Sequence, residues 1–369
     1  MIGTVDHRVR HPDGALLGAV LVLACFGMTM SVSARVYQLS GVSSVASSVV
    51  HLLIGIGALS SVMIVDYRSF TRPRVIWLAI MACSALLLVA LFSPSVGNTH
   101  RWIRIAGFSL QPSELAKPVL VIAVAAALVR AGDAIKTWGG LVRPLAVAGW
   151  LAGLVVLGKD LGTPTVMFAT AIAMCFVAGA RLKPFLILLA GSGAVFLLLS
   201  ALESYRWKRL MSFTAGLDLD GGRWDEIHYQ LQQSLLAVGS GGLWGKGFGM
   251  STQKANFLPE IEDDFIFAFI GEELGLIGAL AVLCAFLLIG YRGVRIATRS
   301  HDDFGRLIAL GATWMLCLQA LVHAGVVTGV LPTKGLPLPF LSAGGSSLLA
   351  SCLLAGLVLN VSLRGRYEN

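Results

Sequence analysis

Ten stretches free of Asp, Glu, Lys and Arg recur along this chain, at 14–34, 36–65, 75–99, 118–129, 144–158, 161–180, 184–202, 274–291, 307–333 and 335–363. A helix that crosses a bilayer needs about 20 predominantly apolar residues. Most of the stretches reach that length unaided. The shorter ones reach it once the charged residues at their ends are included, so that the fourth span carries Glu114 and Lys117 and the eighth carries Glu272 and Glu273. Composition points the same way: 56% of the 369 residues are hydrophobic and 13% are charged, against about 25% charged in a soluble domain. The expected fold is all-α: one polytopic membrane domain over residues 1–369 with about ten transmembrane helices. One long extracytoplasmic loop, 203–263, lies between spans seven and eight.

Arg8 and Arg10 precede the first apolar run, and Ser31-Val32-Ser33-Ala34 has the small residues of a cleavage site. The run is longer than a signal-peptide core, so an uncleaved first span is expected. The six cysteines (25, 83, 175, 284, 317, 352) stand singly inside apolar runs, without Cys or His at ligand spacing. They read as small core residues, not as a disulfide or zinc framework. The net charge of +8 is topological. Sixteen basic residues fall in segments expected to be cytoplasmic, against five (Arg35, Arg101, Arg104, Lys159, Lys334) in short outer loops. This asymmetry puts both termini in the cytoplasm and removes any need for a nucleic-acid partner.

The outer loop is rich in Trp and Gly. Within it, 224–238 reads as an amphipathic helix with Ile227, Leu231, Leu235 and Val238 on one face. It either lies in the membrane interface or packs across the top of the bundle. The run Gly239–Gly249 has six glycines, but its spacing fails the phosphate-loop pattern, because Lys246 is followed by Gly247 where Ser or Thr is required. A flexible turn that lets backbone approach a lipid headgroup closely is the reading that remains.

Carboxylates at a membrane boundary cost desolvation energy and ask for a reason. The run Leu258-Pro259-Glu260-Ile261-Glu262-Asp263-Asp264-Phe265 places four of them where the loop re-enters the membrane. Asp264 is either an N-cap or a functional group. Asp263 suffices as a cap, and Glu260 and Glu262 exceed what capping needs. Glu272 and Glu273 lie roughly 12–14 Å deeper, and being adjacent they must take different partners. Glu114 and Lys117 share a helix face at i,i+3, either as a self-contained ion pair or as a cation held for an anionic phosphate. Asp160, beside Lys159, reads as a local pair at the start of span six, with Pro164 at the first helical position. The last outer loop, 331–347, carries three prolines, Lys334, Ser346 and Ser347. It is either an ordered re-entrant turn or a cradle for a substrate headgroup.

Taken together, these pieces carry a resemblance. Arg101-Trp102-Ile103 with Gln111–Lys117, Asp160-Leu161-Gly162-Thr163, Gly245–Gly249, Leu258-Pro259-Glu260, Asp264–Ala268, Gly271–Gly275 and Leu331–Ser347 follow one another over nearly the whole chain. In this order the chain resembles the SEDS family (shape, elongation, division and sporulation), whose members are peptidoglycan glycosyltransferases. Pro332-Thr333-Lys334-Gly335 is more similar to its division members than to its elongation members.

The resemblance implies polymerisation of lipid II, an undecaprenyl-pyrophosphate-linked disaccharide peptide, at the septum of the bacterial cytoplasmic (inner) membrane. It implies Asp264 as catalytic base, with Lys117, Glu114, Arg101, Lys334, Ser346 and Ser347 as substrate-binding residues and Asp160, Glu272 and Glu273 in support. It further implies a divalent cation, magnesium or manganese, with no organic cofactor. The implied partners are a class B penicillin-binding transpeptidase and other divisome or elongasome membrane proteins. An elongation polymerase of the same family, a lipid II flippase and a non-catalytic division scaffold are the rival readings. The chain departs from the family pattern at Glu262-Asp263 (His-Thr in the family), at Gly158-Lys159 (Gln-Pro) and at Ala343 (Tyr).

Overall fold

The computed structural model describes residues 11–35, 41–94, 100–105, 108–202, 207, 226–251, 264–332 and 335–364. Helices α1 (Gly14–Arg35), α2 (Gly41–Ile64), α3 (Pro73–Leu91), α4 (Pro112–Ala131), α5 (Trp138–Leu157), α6 (Gly162–Val177) and α7 (Leu182–Ala201) form the first part of the bundle. After the segment 203–225 come α8 (Glu226–Ser240), α9 (Ile266–Thr298), α10 (Asp303–Val327) and α11 (Gly345–Arg364). Among the described residues, nine of these helices are long and apolar enough to cross a membrane, and α6, at 16 residues, is a shorter apolar one. The ten spans read from the sequence are these ten, and the chain is a polytopic all-α membrane protein. The acidic run up to Asp263, Lys334, Trp224 and Asp225 lie outside the described residues.

Local chemistry sets many of the helix ends. Pro73 and Pro112 open α3 and α4, where a missing N–H costs nothing. Thr137 caps α5 through Gly140 N, and Asp302 caps α10 through Gly305 N at 2.9 Å. The end of α2 is closed from another helix: Asn360 of α11 donates to the carbonyls of Val62, at 2.5 Å, and Val65, and Arg364 donates to those of Met63, at 3.3 Å, and Ile64. These carbonyls have no intrahelical donor, and in lipid no water would replace one. Helix α11 is the most enclosed span and α7 the least. Large apolar side chains such as Trp77, Leu78, Met81 and Leu287 stay on the outside, where lipid is the solvent.

Two features were not read from the sequence. A small antiparallel hairpin, β1 (Ile103–Ile105) and β2 (Phe108–Leu110), sits between α3 and α4, with Ile103 opposite Leu110. Helix α9 is also not continuous. Gly275 has φ 68° and ψ −166°, and the glycine-rich turn inserts there. In an unbroken helix the N–H groups of Leu276 and Ile277 would bond the carbonyls of Glu272 and Glu273. Here Lys246 N and Gly247 N take those carbonyls, at 2.9 and 3.0 Å, while Leu276 N and Ile277 N turn to the carbonyls of Gly242 and Leu243, at 2.9 and 3.3 Å. The four groups of these two helical hydrogen bonds are thus all satisfied by the turn. The contact has room for hydrogen only. A Cβ at Gly275 would sit 2.5 Å from Leu243 O and closer still to Gly245 N, and one at Gly245 (φ 79°) would overlap Glu273 O. The turn does make a close backbone approach, but what it approaches is a helix and not the lipid headgroup expected of it.

Helix α8 packs on α9 and α10. Ser234 donates to Val327 O at 2.9 Å, Leu231 and Leu235 flank Gly329, and Val238 meets Gly271. It therefore lies across the bundle, the second of the two placements open from its pattern.

Candidate active site

At the end of the bundle where α4, α6, α9 and α11 begin, the loop after α10 is the hub. Its residues Leu336, Leu338, Phe340 and Leu341 are buried, and Ser342 Oγ accepts from Leu338 N at 2.7 Å. Helix α10 holds the loop by two side chains one turn apart. Gln319 Nε2 donates to Pro337 O at 2.6 Å, and His323 Nδ1 donates to Leu336 O at 2.6 Å. The buried His323 Nε2 has no partner among the described residues.

Gln319 extends the network to α4. Lys117 Nζ donates to Gln319 Oε1 and to Glu114 Oε1, each at 2.7 Å, and both charged side chains are 1% exposed. The pair predicted from the i,i+3 spacing is therefore formed, and it is closed. The ammonium is spent on protein groups and meets no open surface.

Asp264 stands just ahead of α9. Phe265, not Asp264, occupies the N-cap position of α9. The Asp264 carboxylate instead lies against the hub loop, close enough that a Cβ on Gly335 would be 2.6 Å from Oδ2. The residue is partly exposed. Nearby carboxylates are enclosed. Glu272 accepts from Lys246 Nζ at 2.7 Å and from Ser251 Oγ, and Glu273 accepts from Ser33 Oγ at 3.3 Å. Both are fully buried, and they take separate partners as their adjacency required.

Asp160 is corrected in its partner. It does not pair with Lys159, whose backbone has φ 64°. Its Oδ1 accepts from Gly162 N and Thr163 N at 3.0 and 3.2 Å, its Oδ2 accepts from Thr163 Oγ1 at 2.9 Å, and Arg101 NH1 lies 4.0 Å away. Pro164 is the third residue of α6, not the first. Ser346 Oγ accepts from Gln111 N at 2.9 Å and donates to Ser109 O at 3.2 Å, tying the hairpin to α11. The buried Ser347 hydroxyl has no partner among the described residues. Lys334 lies outside them. The structure thus sets Asp264 against the hub loop, links Glu114 and Lys117 to that loop through Gln319, turns Glu272 to Lys246 and Glu273 to Ser33 of α1, and turns Asp160 and Ser346 to structural bonds.

Sequence reasoning missed Gln319, His323, Ser33 and Ser251. The signal for the first two was present: a polar i,i+4 pair inside the apolar run 307–333. Among the described residues no three His, Cys, Asp or Glu side chains converge on a metal site, and Glu260, Glu262 and Asp263, beside Asp264, lie outside those residues.

A family model described as cell cycle protein, FtsW/RodA/SpoVE, matches residues 14–367. The chain is 36% identical over 372 residues to the probable peptidoglycan glycosyltransferase FtsW of Geobacter metallireducens, covering 97% of this chain and 96% of that one. It is 38% identical over 370 residues to stage V sporulation protein E of Bacillus subtilis, covering 96% and 98%. Among solved structures, it superposes on a chain from work on the structural coordination of polymerization and crosslinking by a peptidoglycan synthase complex, with TM-score 0.77, 26% identity and coverage of 95% and 97%. It also superposes on the rod shape determining protein RodA of Thermus thermophilus, with TM-score 0.70, 25% identity and coverage of 97% and 98%. With its fold and nearly its whole length matched, the chain belongs to the FtsW/RodA/SpoVE family.

Proposed function

We propose that this peptidoglycan glycosyltransferase of the bacterial inner membrane polymerises lipid II during septal wall synthesis, with a class B penicillin-binding protein as crosslinking partner. In the reaction an acceptor GlcNAc hydroxyl attacks the anomeric carbon of a donor glycan. The bond from that carbon to the lipid pyrophosphate breaks, and the pyrophosphate leaves with its polyprenyl chain. A general base must take the hydroxyl proton in the transition state, and positive charge must meet the departing pyrophosphate.

One observation carries the assignment of the base. Of Asp264, Glu114, Asp160, Glu272 and Glu273, Asp264 is the one that is partly open. Glu114, Asp160, Glu272 and Glu273 are all buried in protein hydrogen bonds. Arg101, with 30% of its side chain exposed, and Lys334 are the proposed phosphate-facing cations. Lys117, closed by Glu114 and Gln319, acts as a positioning residue. Through Gln319 and Pro337 it holds the loop whose Gly335 backs the Asp264 carboxylate. Both termini, and the end of α9 opposite Asp264, then face the cytoplasm.

The experiment is gel analysis of glycan strands made from lipid II by Asp264→Asn and Asp264→Ala proteins purified with the transpeptidase. Loss of polymer at an unchanged melting temperature is expected, and full polymerisation by Asp264→Ala overturns the assignment. A flippase reading needs a polar path, and the buried charges that would line one are spent on protein partners, which favours the polymerase. The division role itself rests on the relatives named FtsW. It is tested by midcell localisation of a fluorescent fusion, where sidewall localisation overturns it.

A further inference from the structure

At the end of the bundle opposite Asp264, a pocket of about 200 Å³ opens between the start of α1, the last turns of α9 and the end of α11, lined by His11, Asp13, Arg292, Arg295, Arg299 and Ser362. It is a built site. Arg292 grips Asp13 through Nε, at 3.0 Å to both oxygens, and through NH2, at 2.6 Å to Oδ2. Asp13 Oδ1 also accepts from Leu16 N at 2.9 Å, and Asp13 N donates to Ser362 Oγ at 3.1 Å. The one acidic group among the described residues of the pocket is therefore saturated by one arginine and by the helix start it caps.

Arg295, at i+3 from Arg292 on α9, and Arg299, the residue that ends α9 as its C-cap, both line the pocket, and their guanidiniums have no hydrogen-bond or ion-pair partner among the described residues. Two forked, permanently charged donors facing a cavity match a phosphate, which takes such donors in pairs. One turn nearer the membrane centre, Leu288 and Tyr291 stand at i−4 from Arg292 and Arg295 and are exposed. The phosphate-matching end thus continues into an apolar strip on the same ridge, as a molecule with a charged head and hydrocarbon chains requires.

We propose that this pocket binds the phosphate of an anionic phospholipid, with Arg295 and Arg299 on the headgroup and Leu288 and Tyr291 beneath the acyl chains. Basic pockets between helices at the cytoplasmic side of membrane proteins take lipid headgroups by this chemistry. The Arg292–Asp13 pair fixes the walls and is not the receptor.

The test is native mass spectrometry of the full-length protein in detergent, titrated with phosphatidylglycerol and, separately, with phosphatidylethanolamine. The wild type is expected to retain phosphatidylglycerol preferentially. The Arg295→Gln/Arg299→Gln double variant is expected to bind it about twenty-five-fold more weakly, two arginines each being worth roughly five-fold at a lipid surface. Arg143→Gln/Arg181→Gln, which removes the same charge from exposed positions at that end of the bundle, should bind like the wild type. Equal retention by the wild type and the Arg295/Arg299 variant, or equal loss in both double variants, overturns the site. Displacement of the lipid by millimolar glycerol 3-phosphate overturns the lipid source and assigns the pocket to soluble phosphate esters. Melting curves of each variant exclude unfolding as the cause, because Arg292, Asp13 and Ser362 are left in place.

Discussion

Lys117 is closed on both sides by protein, and that decides what its replacement does. Lys117→Met leaves Glu114 charged and unpaired in the bundle, at a cost of about 3–5 kcal/mol. Glu114→Gln/Lys117→Met removes both charges and is expected to regain most of the lost melting temperature without regaining full activity, because Gln319 still loses its partner. At the other end of the molecule, Tyr67, in the 3-10 turn Tyr67–Thr71 after α2, donates to Asp302, the cap of α10. Burial first, and the Asp302 carboxylate second, push the Tyr67 hydroxyl well above its ordinary value. A raised folded pKa stabilises at every pH below the unfolded value, about 10 for tyrosine, and fades only as pH climbs through the folded value. Tyr67→Phe is therefore expected to cost about 1.5–3 kcal/mol. The melting-temperature gap to the wild type should stay constant from pH 6 to 9 and narrow only in stronger alkali. At this scale the sequence showed half of each pair. The i,i+3 spacing revealed Glu114 with Lys117, whereas Gln319 is 202 residues away and no local pattern could join it to them. Asp264 stood out because carboxylates at a membrane boundary are costly, but that it borders Gly335 follows only from the tertiary fold.

Among the elements, the broken helix α9 makes the sharpest demand. Gly275→Ala must both hold a positive φ and drive a methyl into Leu243 O, and Gly245→Ala meets Glu273 O in the same way. Each is expected to cost more than about 3 kcal/mol, read as loss of the monodisperse peak in size-exclusion chromatography. Gly239→Ala, where a Cβ meets nothing within 4 Å, is the neutral control. The glycine turn was legible as a place where backbone comes close, but its target was not. The eighth apolar run begins at Leu274, so its helix reads as unbroken from there. That Glu272 and Glu273 would surrender their carbonyls to residues 26 positions earlier needs the third dimension. The hairpin 103–110 was missed for a simpler reason. Three-residue strands have no alternation long enough to register.

For the whole molecule, the span count was the most legible property, because lipid forces every crossing segment to satisfy its own backbone and so to declare itself by length and hydropathy. The orientation drawn from the arginine bias predicts that green fluorescent protein fused after Asn369 fluoresces and that alkaline phosphatase fused there is inactive. Phosphatase inserted within 208–225 should be active. The opposite pattern would invert the site to the wrong side for lipid-linked sugars. What hydropathy could not reveal is which parts of the active-site end are able to move. The turn 242–247 is spliced into α9 by four backbone hydrogen bonds, and lifting it would strip eight polar groups at membrane depth, a cost of about 8 kcal/mol or more. That edge of the active-site end is a fixed rail, and any rearrangement at this end of the bundle falls to segments other than the turn.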